Sequence, residues 1–202
     1  MLRLPYDCVR LPAGKPVCLR GFGLSSILVP MPLFLLTAPS GVGKTTALQR
    51  SVLRARQQGL RVGGVLSLAQ PHGRLPHPSA LWLEDIATGR RRLLAHVAAP
   101  AEASVGIWRF LEATVAWGNA LLADAADADL LVVDEIGPLE LNLGKGLHAA
   151  FAALRWGRYH RAVVAVRPAL VEQLADALAP RQPKVIRLTP ENRDTIPLLL
   201  VP

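Results

Sequence analysis

Apolar positions along this chain fall into two alternating patterns. Some are short unbroken runs and others are longer stretches at helical spacing. Residues 33–37 (LFLLT) are too short for a helix and almost wholly apolar, which predicts a buried strand. From residue 44 to 58, Ala47, Leu48, Val52, Leu53 and Ala55 recur at helical spacing, and Gly59 marks the stop. Residues 61–68 predict a second strand through Val62, Val65, Leu66 and Leu68. The stretch 70–79, rich in Pro and His, predicts a loop. Residues 80–86 and 91–96 flank ATGR and predict a β-hairpin. Further on the spacing predicts a helix over 107–123, a strictly apolar strand over 130–134 and a helix over 147–156. A strand over 161–166, a helix over 169–178 and a last strand over 184–188 complete the series.

Strands that alternate with helices, and are apolar on both faces, predict an α/β fold. Its sheet should be mostly parallel with helices on both faces, and the hairpin an antiparallel addition. Ligands of such sheets bind at the carboxyl ends of the strands. Residues 1–30 fit none of this. They hold several Pro and Gly, both cysteines and no clear period, so they are expected outside the core, as a disordered extension or an over-extended start. The domain is expected to run from 31 to 202.

Directly after the first strand stands APSGVGKTT, residues 38–46. The phosphate-loop pattern is G-x-x-x-x-G-K-[ST]. Gly43, Lys44 and Thr45 match it, and Ala38 takes the first Gly position, a small departure that keeps the side chain small. The loop Ala38, Pro39, Ser40, Gly41, Val42 and Gly43 should turn its N–H groups inward as an anion nest at the start of a helix. The helix's first-turn N–H groups and its dipole add to this. Lys44 is placed to reach the β- and γ-phosphates of a nucleotide, Thr45 to offer a hydroxyl to Mg²⁺, and Thr46 to touch an α-phosphate oxygen. The alternative is a Gly-rich turn at a helix start. Strand, loop, Lys and helix together argue against it.

The apolar strand LLVV ends in Asp134 and Glu135. A desolvated carboxylate is costly unless something pairs with it or it serves a metal. With a phosphate loop upstream, Asp134 reads as the Mg²⁺-side acid at the tip of a Walker B strand. Glu135 reads as the residue that activates a water for attack on the γ-phosphorus. Loop and acidic tip are expected to meet across adjacent strands.

Composition changes this picture little. Of 202 residues, 51% are hydrophobic and 19% charged, as in a globular domain. No apolar stretch reaches the roughly 18 residues of a membrane span, and the protein reads as cytoplasmic with no membrane partner. The net charge of +8 raises a nucleic-acid partner. Only Arg90, Arg91 and Arg92 cluster, however, and no aromatics interleave with them, which argues against that partner and leaves it open. Cys8 and Cys18 lack the companions of a zinc site. One disulfide between them would be unusual in the cytosol. His72, His77, His96, His148 and His160 show no ligand spacing. Trp108 and Trp117, nine apart on the expected helix, would face opposite ways.

The chain resembles the THEP-type P-loop nucleoside triphosphatases, a family that includes the animal cancer-related nucleoside triphosphatase. The resemblance runs from 31 to 197. It is carried by TAPSGVGKTT, GLRVGGVLS, LEDIATGRRRLLA, WRFLEATVAWGNALL, LLVVDEIGPLEL, VVAVRPAL and TPENRDTIP, with DEIG followed by EL the most specific. Departures are Ala38, and Pro138 with Leu139 where many members have Lys-Met. The resemblance implies a RecA-like fold and slow hydrolysis of Mg²⁺-NTP (ATP, GTP and others) to NDP and phosphate with loose base preference. Asp134 and Glu135 carry over as metal-side and catalytic acids.

Four residues are weaker candidates. Arg109 or Arg167 is a candidate to stabilise charge at the γ-phosphate, with a structural salt bridge the alternative for each. Asn192 and Arg193 follow the last strand, where a contact to base or ribose competes with a cap or turn. Two other function classes stay open: a small-molecule or nucleotide kinase on the same loop, and a non-enzymatic nucleotide switch or RNA-associated module. No protein partner can be named from the sequence.

Overall fold

A computed structural model of the chain describes residues 31–73 and 77–201, together with two short strands, β1 (Cys8–Val9) and β2 (Val17–Cys18). The chain divides into two units, Met1–Pro30 and Met31–Pro202. In the first, β1 and β2 pair antiparallel. The expectation of a disordered or mis-started extension lies otherwise outside the described residues.

The second unit is built on one eight-stranded sheet. Its strands are β3 (Leu33–Thr37), β4 (Val62–Gln70), β5 (Ala80–Asp85), β6 (Arg91–Val97), β7 (Trp108–Phe110), β8 (Leu130–Ile136), β9 (Arg161–Val166) and β10 (Lys184–Arg187). Their spatial order is β10-β3-β9-β8-β4-β5-β6-β7. The first five are mutually parallel, and β5, β6 and β7 continue the sheet antiparallel.

The buried strands β3, β8 and β9 are apolar at almost every position because both faces are covered. On one face lie α1 (Lys44–Gln57) and α6 (Ile196–Leu200), with Leu36, Leu48, Val52, Val132, Val163 and Ile196 in one cluster. On the other lie α2 (Glu112–Asp124), α4 (Ala149–Trp156) and α5 (Val171–Ala177), where Leu35, Leu122, Val133, Leu154, Val164 and Leu174 pack together. A short helix α3 (Pro138–Leu141) follows β8. Strands β4 and β8 approach closely at Gly64. Its φ is +107°, and a Cβ there would stand 1.9 Å from the Val132 carbonyl oxygen. Among the described residues no helix is long and apolar enough to cross a membrane.

Three expectations need correction. The helix expected over 107–123 begins only at Glu112, and Trp108–Phe110 is an edge strand paired to β6. Ile107, Trp108, Phe110 and Leu111 continue an apolar spacing that a helix would share, but the partner that makes them a strand is supplied by β6. Trp108 and Trp117 are therefore not on one helix. Secondly, the antiparallel addition is three strands, not a hairpin alone. Thirdly, the phosphate-loop strand β3 and the acidic strand β8 are not adjacent, because β9 lies between them. Strands two places apart are about 10 Å apart, which opens a gap between the two strand tips instead of closing them together. The hairpin turn itself is held by buried Asp85, which accepts from the Ala87 N–H at 2.9 Å and from the Thr88 hydroxyl.

Candidate functional site

The loop after β3 runs directly into α1. Gly43 caps α1 with φ +109° and no side-chain capping bond, so it leaves the first-turn N–H groups of α1 without a side-chain partner. Glycine alone adopts that backbone without strain. Pro39, Ser40 and Gly41 are exposed, Val42 and Gly43 half-buried, and Ala38 is buried beneath them. Thr46 is exposed on the first turn of the helix. No acidic side chain stands in that turn to compete with an anion.

Lys44 is the hinge between loop and acids. Its side chain is buried, and Nζ donates to the Ala38 carbonyl at 2.9 Å. The same Nζ stands 3.8 Å from Glu135 Oε2. The first loop position thus contributes its backbone oxygen, which explains why Ala38 serves where the pattern has Gly.

Strand β8 carries the acids on an irregularity. Val133 pairs with Val164 and Ile136 with Val166, so Asp134 and Glu135 of β8 stand opposite the single residue Ala165 of β9. A bulge of this kind breaks the strict alternation of side chains and re-aims them. Asp134 and Glu135 are neighbours that a regular strand would point to opposite faces, yet both reach the start of α1, Asp134 at Thr45 and Glu135 at Lys44. The peptide joining them is cis.

Asp134 is 2% exposed. Burial pushes its carboxyl up to about 7, against a hydrogen bond from the Thr45 side chain that lowers it; the neighbouring Glu135 charge raises it further. The Ser67 hydroxyl donates to the Asp134 carbonyl at 2.5 Å and fixes the strand tip from β4. Among the described residues Asp134 Oδ2 has no hydrogen-bond partner. A buried oxygen left over beside a threonine hydroxyl fits a hard cation that takes one or two protein oxygens and completes its shell with phosphate and water. Among the described residues no group of three or more His, Cys, Asp or Glu is placed to hold a metal ion.

Arg167 is the first residue after β9, the strand between β3 and β8. Its Nε donates to Glu135 Oε1 at 2.7 Å. Loop, acids and this arginine therefore converge. Arg109 does not. It lies on β7, four strand places from β8, or roughly 20 Å, and faces Glu102 at 3.7 Å on the surface. Asn192 holds a turn: its Oδ1 accepts from Thr189 N–H and its Nδ2 donates to the Arg187 carbonyl, both at 2.8 Å. Arg193 is exposed, and its backbone N–H closes the same turn onto Thr189.

Two contributors escaped the sequence reading. Ser67 carried no signal beyond standing in a strand. Glu140 did: it is an acid inside the apolar PLEL. It is buried, and its two oxygens accept from the Gly137 and Leu147 N–H groups, each at 2.9 Å, tying down the turn that follows the acids. Burial raises its carboxyl, those two bonds oppose the rise and the Glu135 charge adds to it. The arginine run disperses in space. Arg91 pairs with Glu84 at 2.6 Å, and Arg92 lies over the Trp117 ring, 4.6 Å from its centre.

Comparison with known proteins gives the family of the chain. A family model described as NTPase matches residues 33–200. The nucleoside-triphosphatase THEP1 of Thermofilum pendens is 31% identical over 166 residues, 81% of this chain and 90% of that protein. That of Pyrococcus abyssi is 29% identical over 167 residues, 81% and 87% of the two chains. The solution structure of a human cancer-related nucleoside triphosphatase is similar with a TM-score of 0.61 at 25% identity, over 83% of this chain and 93% of that one. The crystal structure of THEP1 from the hyperthermophile Aquifex aeolicus shares the fold, with a TM-score of 0.62 at 19% identity, over 84% and 96%. With the NTPase match spanning most of its length, the chain belongs to the NTPase family, the THEP-type nucleoside triphosphatases.

Proposed function

We propose that this protein hydrolyses Mg²⁺-bound nucleoside triphosphates to NDP and phosphate, in the cytoplasm, through a domain that begins at Met31. As a member of its family it is a nucleoside triphosphatase. The metal, the residue roles and a loose base preference are our reading. The observation that carries the reading is the meeting of Lys44 with both the loop carbonyl of Ala38 and the carboxylate of Glu135.

The roles follow from the groups present. The nest from Ala38 to Gly43 and the N–H groups opening α1 bind the phosphate chain. Lys44 neutralises its β–γ end. Thr45 and Asp134 would hold Mg²⁺, which supplies charge neutralisation on the phosphates when bound. Glu135 orients a water and accepts its proton as the water oxygen bonds to the γ-phosphorus; the bond from that phosphorus to the β–γ bridging oxygen breaks, and NDP leaves. Positioning and fixed charge of this kind account for most catalysis of phosphoryl transfer.

The test is a panel of ATP, GTP, CTP and UTP with Mg²⁺, scored for free phosphate with and without small hydroxylated acceptors. Phosphate release without an acceptor, abolished by chelation and restored by Mg²⁺, is expected for every base. Turnover seen only with an acceptor, and a phosphorylated product, would instead make the protein a kinase. Binding with no turnover would make it a switch.

A further inference from the structure

Glu135 stands in a pose that does not suit its task. Arg167 Nε donates to its Oε1 at 2.7 Å, and Lys44 Nζ faces its Oε2 at 3.8 Å. A carboxylate oxygen can accept more than one hydrogen bond, so this contact does not bar a water outright, but it turns the carboxylate towards Arg167 and holds it there. Drawing the guanidinium away releases the carboxylate to turn towards a water.

The position of Arg167 says what that is. It follows Val166, which pairs with Thr37 of the loop strand on one side and with Ile136 of the acidic strand on the other. Its side chain is therefore rooted between the two tips, in the gap that β9 opens. It is 58% exposed, against 24% for Glu135. An ion pair this open to water is weak. A guanidinium also matches phosphate oxygens as well as it matches a carboxylate.

We propose that Arg167 reads the γ-phosphate: without it Arg167 restrains Glu135, and a terminal phosphate draws the guanidinium off and frees the carboxylate for water. The proposal rests on the triphosphatase reading above and adds a condition to it. A diphosphate lacks the group that exchanges with Glu135, so the pair stays closed. The site is then set for hydrolysis only when there is a phosphate to remove.

The experiment is a double-mutant cycle in binding. Dissociation constants for a non-hydrolysable NTP analogue and for NDP, both with Mg²⁺, are measured on the full chain, on Arg167→Ala, on Glu135→Gln and on the double variant. Arg167→Ala is expected to weaken the analogue roughly 10- to 100-fold, the range of a lost charge-assisted hydrogen bond, and to leave NDP within about twofold. Glu135→Gln should tighten the analogue several-fold when Arg167 is present and much less when it is absent, because the competition for the guanidinium has gone. Arg167→Lys should recover part of the triphosphate preference. Equal loss of both nucleotides in Arg167→Ala would mark a structural role and overturn the proposal. So would a Glu135→Gln effect that is the same with and without Arg167, which is plain charge repulsion. Wild-type protein that fails to bind the analogue would overturn the underlying triphosphatase reading itself, an outcome none of the variant comparisons can mimic.

Discussion

The five parallel strands and the three antiparallel ones share one sheet, but the parallel half holds all the convergent polar groups. Every residue that meets at the phosphate loop comes from the carboxyl end of a parallel strand or the segment just beyond it: Lys44 and Thr45 after β3, Asp134 and Glu135 on β8, Arg167 after β9. The antiparallel extension offers Arg90, Arg91, Arg92 and Arg109, and these lie dispersed. Arg91 is paired to Glu84, Arg92 is stacked on Trp117 and Arg109 faces Glu102. The difference follows from strand direction. Parallel strands bring all their carboxyl ends to one edge, so their following segments converge. Antiparallel strands send alternate ends to opposite edges, so their following segments do not collect at one edge, and successive side chains along each strand point to opposite faces.

The sharpest way to break this contrast is at Glu135. Glu135→Gln should lower turnover about 10²–10⁴-fold, the usual share of a general base, with nucleotide affinity kept or improved. Lys44→Ala should weaken binding and turnover together. Calorimetry and phosphate release on the same preparations separate the two patterns.

A second effect lives in stability. In the nucleotide-free, metal-free protein, Asp134 titrates near 7 instead of at its ordinary 3.8 because it is buried. Between those values the folded chain keeps a proton that the unfolded chain has lost. Stability therefore falls as pH rises across that window and levels off above it. The total is about 4 kcal/mol at 1.4 kcal/mol per pH unit. Asp134→Asn should flatten this slope and stabilise the empty protein above pH 7, as read by denaturant melts from pH 4 to 8. A slope unchanged by the substitution would remove Asp134 as its cause.

At the border between the two halves, Gly64→Ala should cost about 3 kcal/mol or more, because its Cβ would collide with the Val132 carbonyl. The expected readout is a lower melting temperature, together with lost activity from a displaced β8. The smallest effect belongs to the extension. Arg109→Ala should leave kcat and KM within about twofold, since an exposed pair contributes roughly 0–1 kcal/mol. A large loss there would return the antiparallel strands to the chemistry.

What the sequence made legible follows the same divide. The loop from Ala38 to Thr46 is read by local spacing, and a local motif needs no knowledge of what lies beside it. Asp134 and Glu135 stood out because acids at the end of an apolar run demand a reason. Arg109 and Arg167 were equal candidates in sequence, one inside an expected helix and the other at the end of an expected strand. Only the strand order separates them, and that order is set by long-range pairing. The same blindness made β7 look like helix and made β3 and β8 look adjacent. Glu140 was legible by the rule that flagged Asp134, an acid among apolar neighbours, and its partners Gly137 and Leu147 lie close enough in sequence to have been sought.

The central claim is that a triphosphate lies between the loop at Ala38–Thr46 and the acids at the end of β8. A crystal structure with Mg²⁺ and a non-hydrolysable NTP analogue tests it most directly. The account predicts the β- and γ-phosphates in the loop, with the terminal phosphate between Lys44 and Glu135. Nucleotide density anywhere else, such as the roughly 610 Å³ cleft beside Phe110, Val115 and Leu143, with the loop empty, would contradict it.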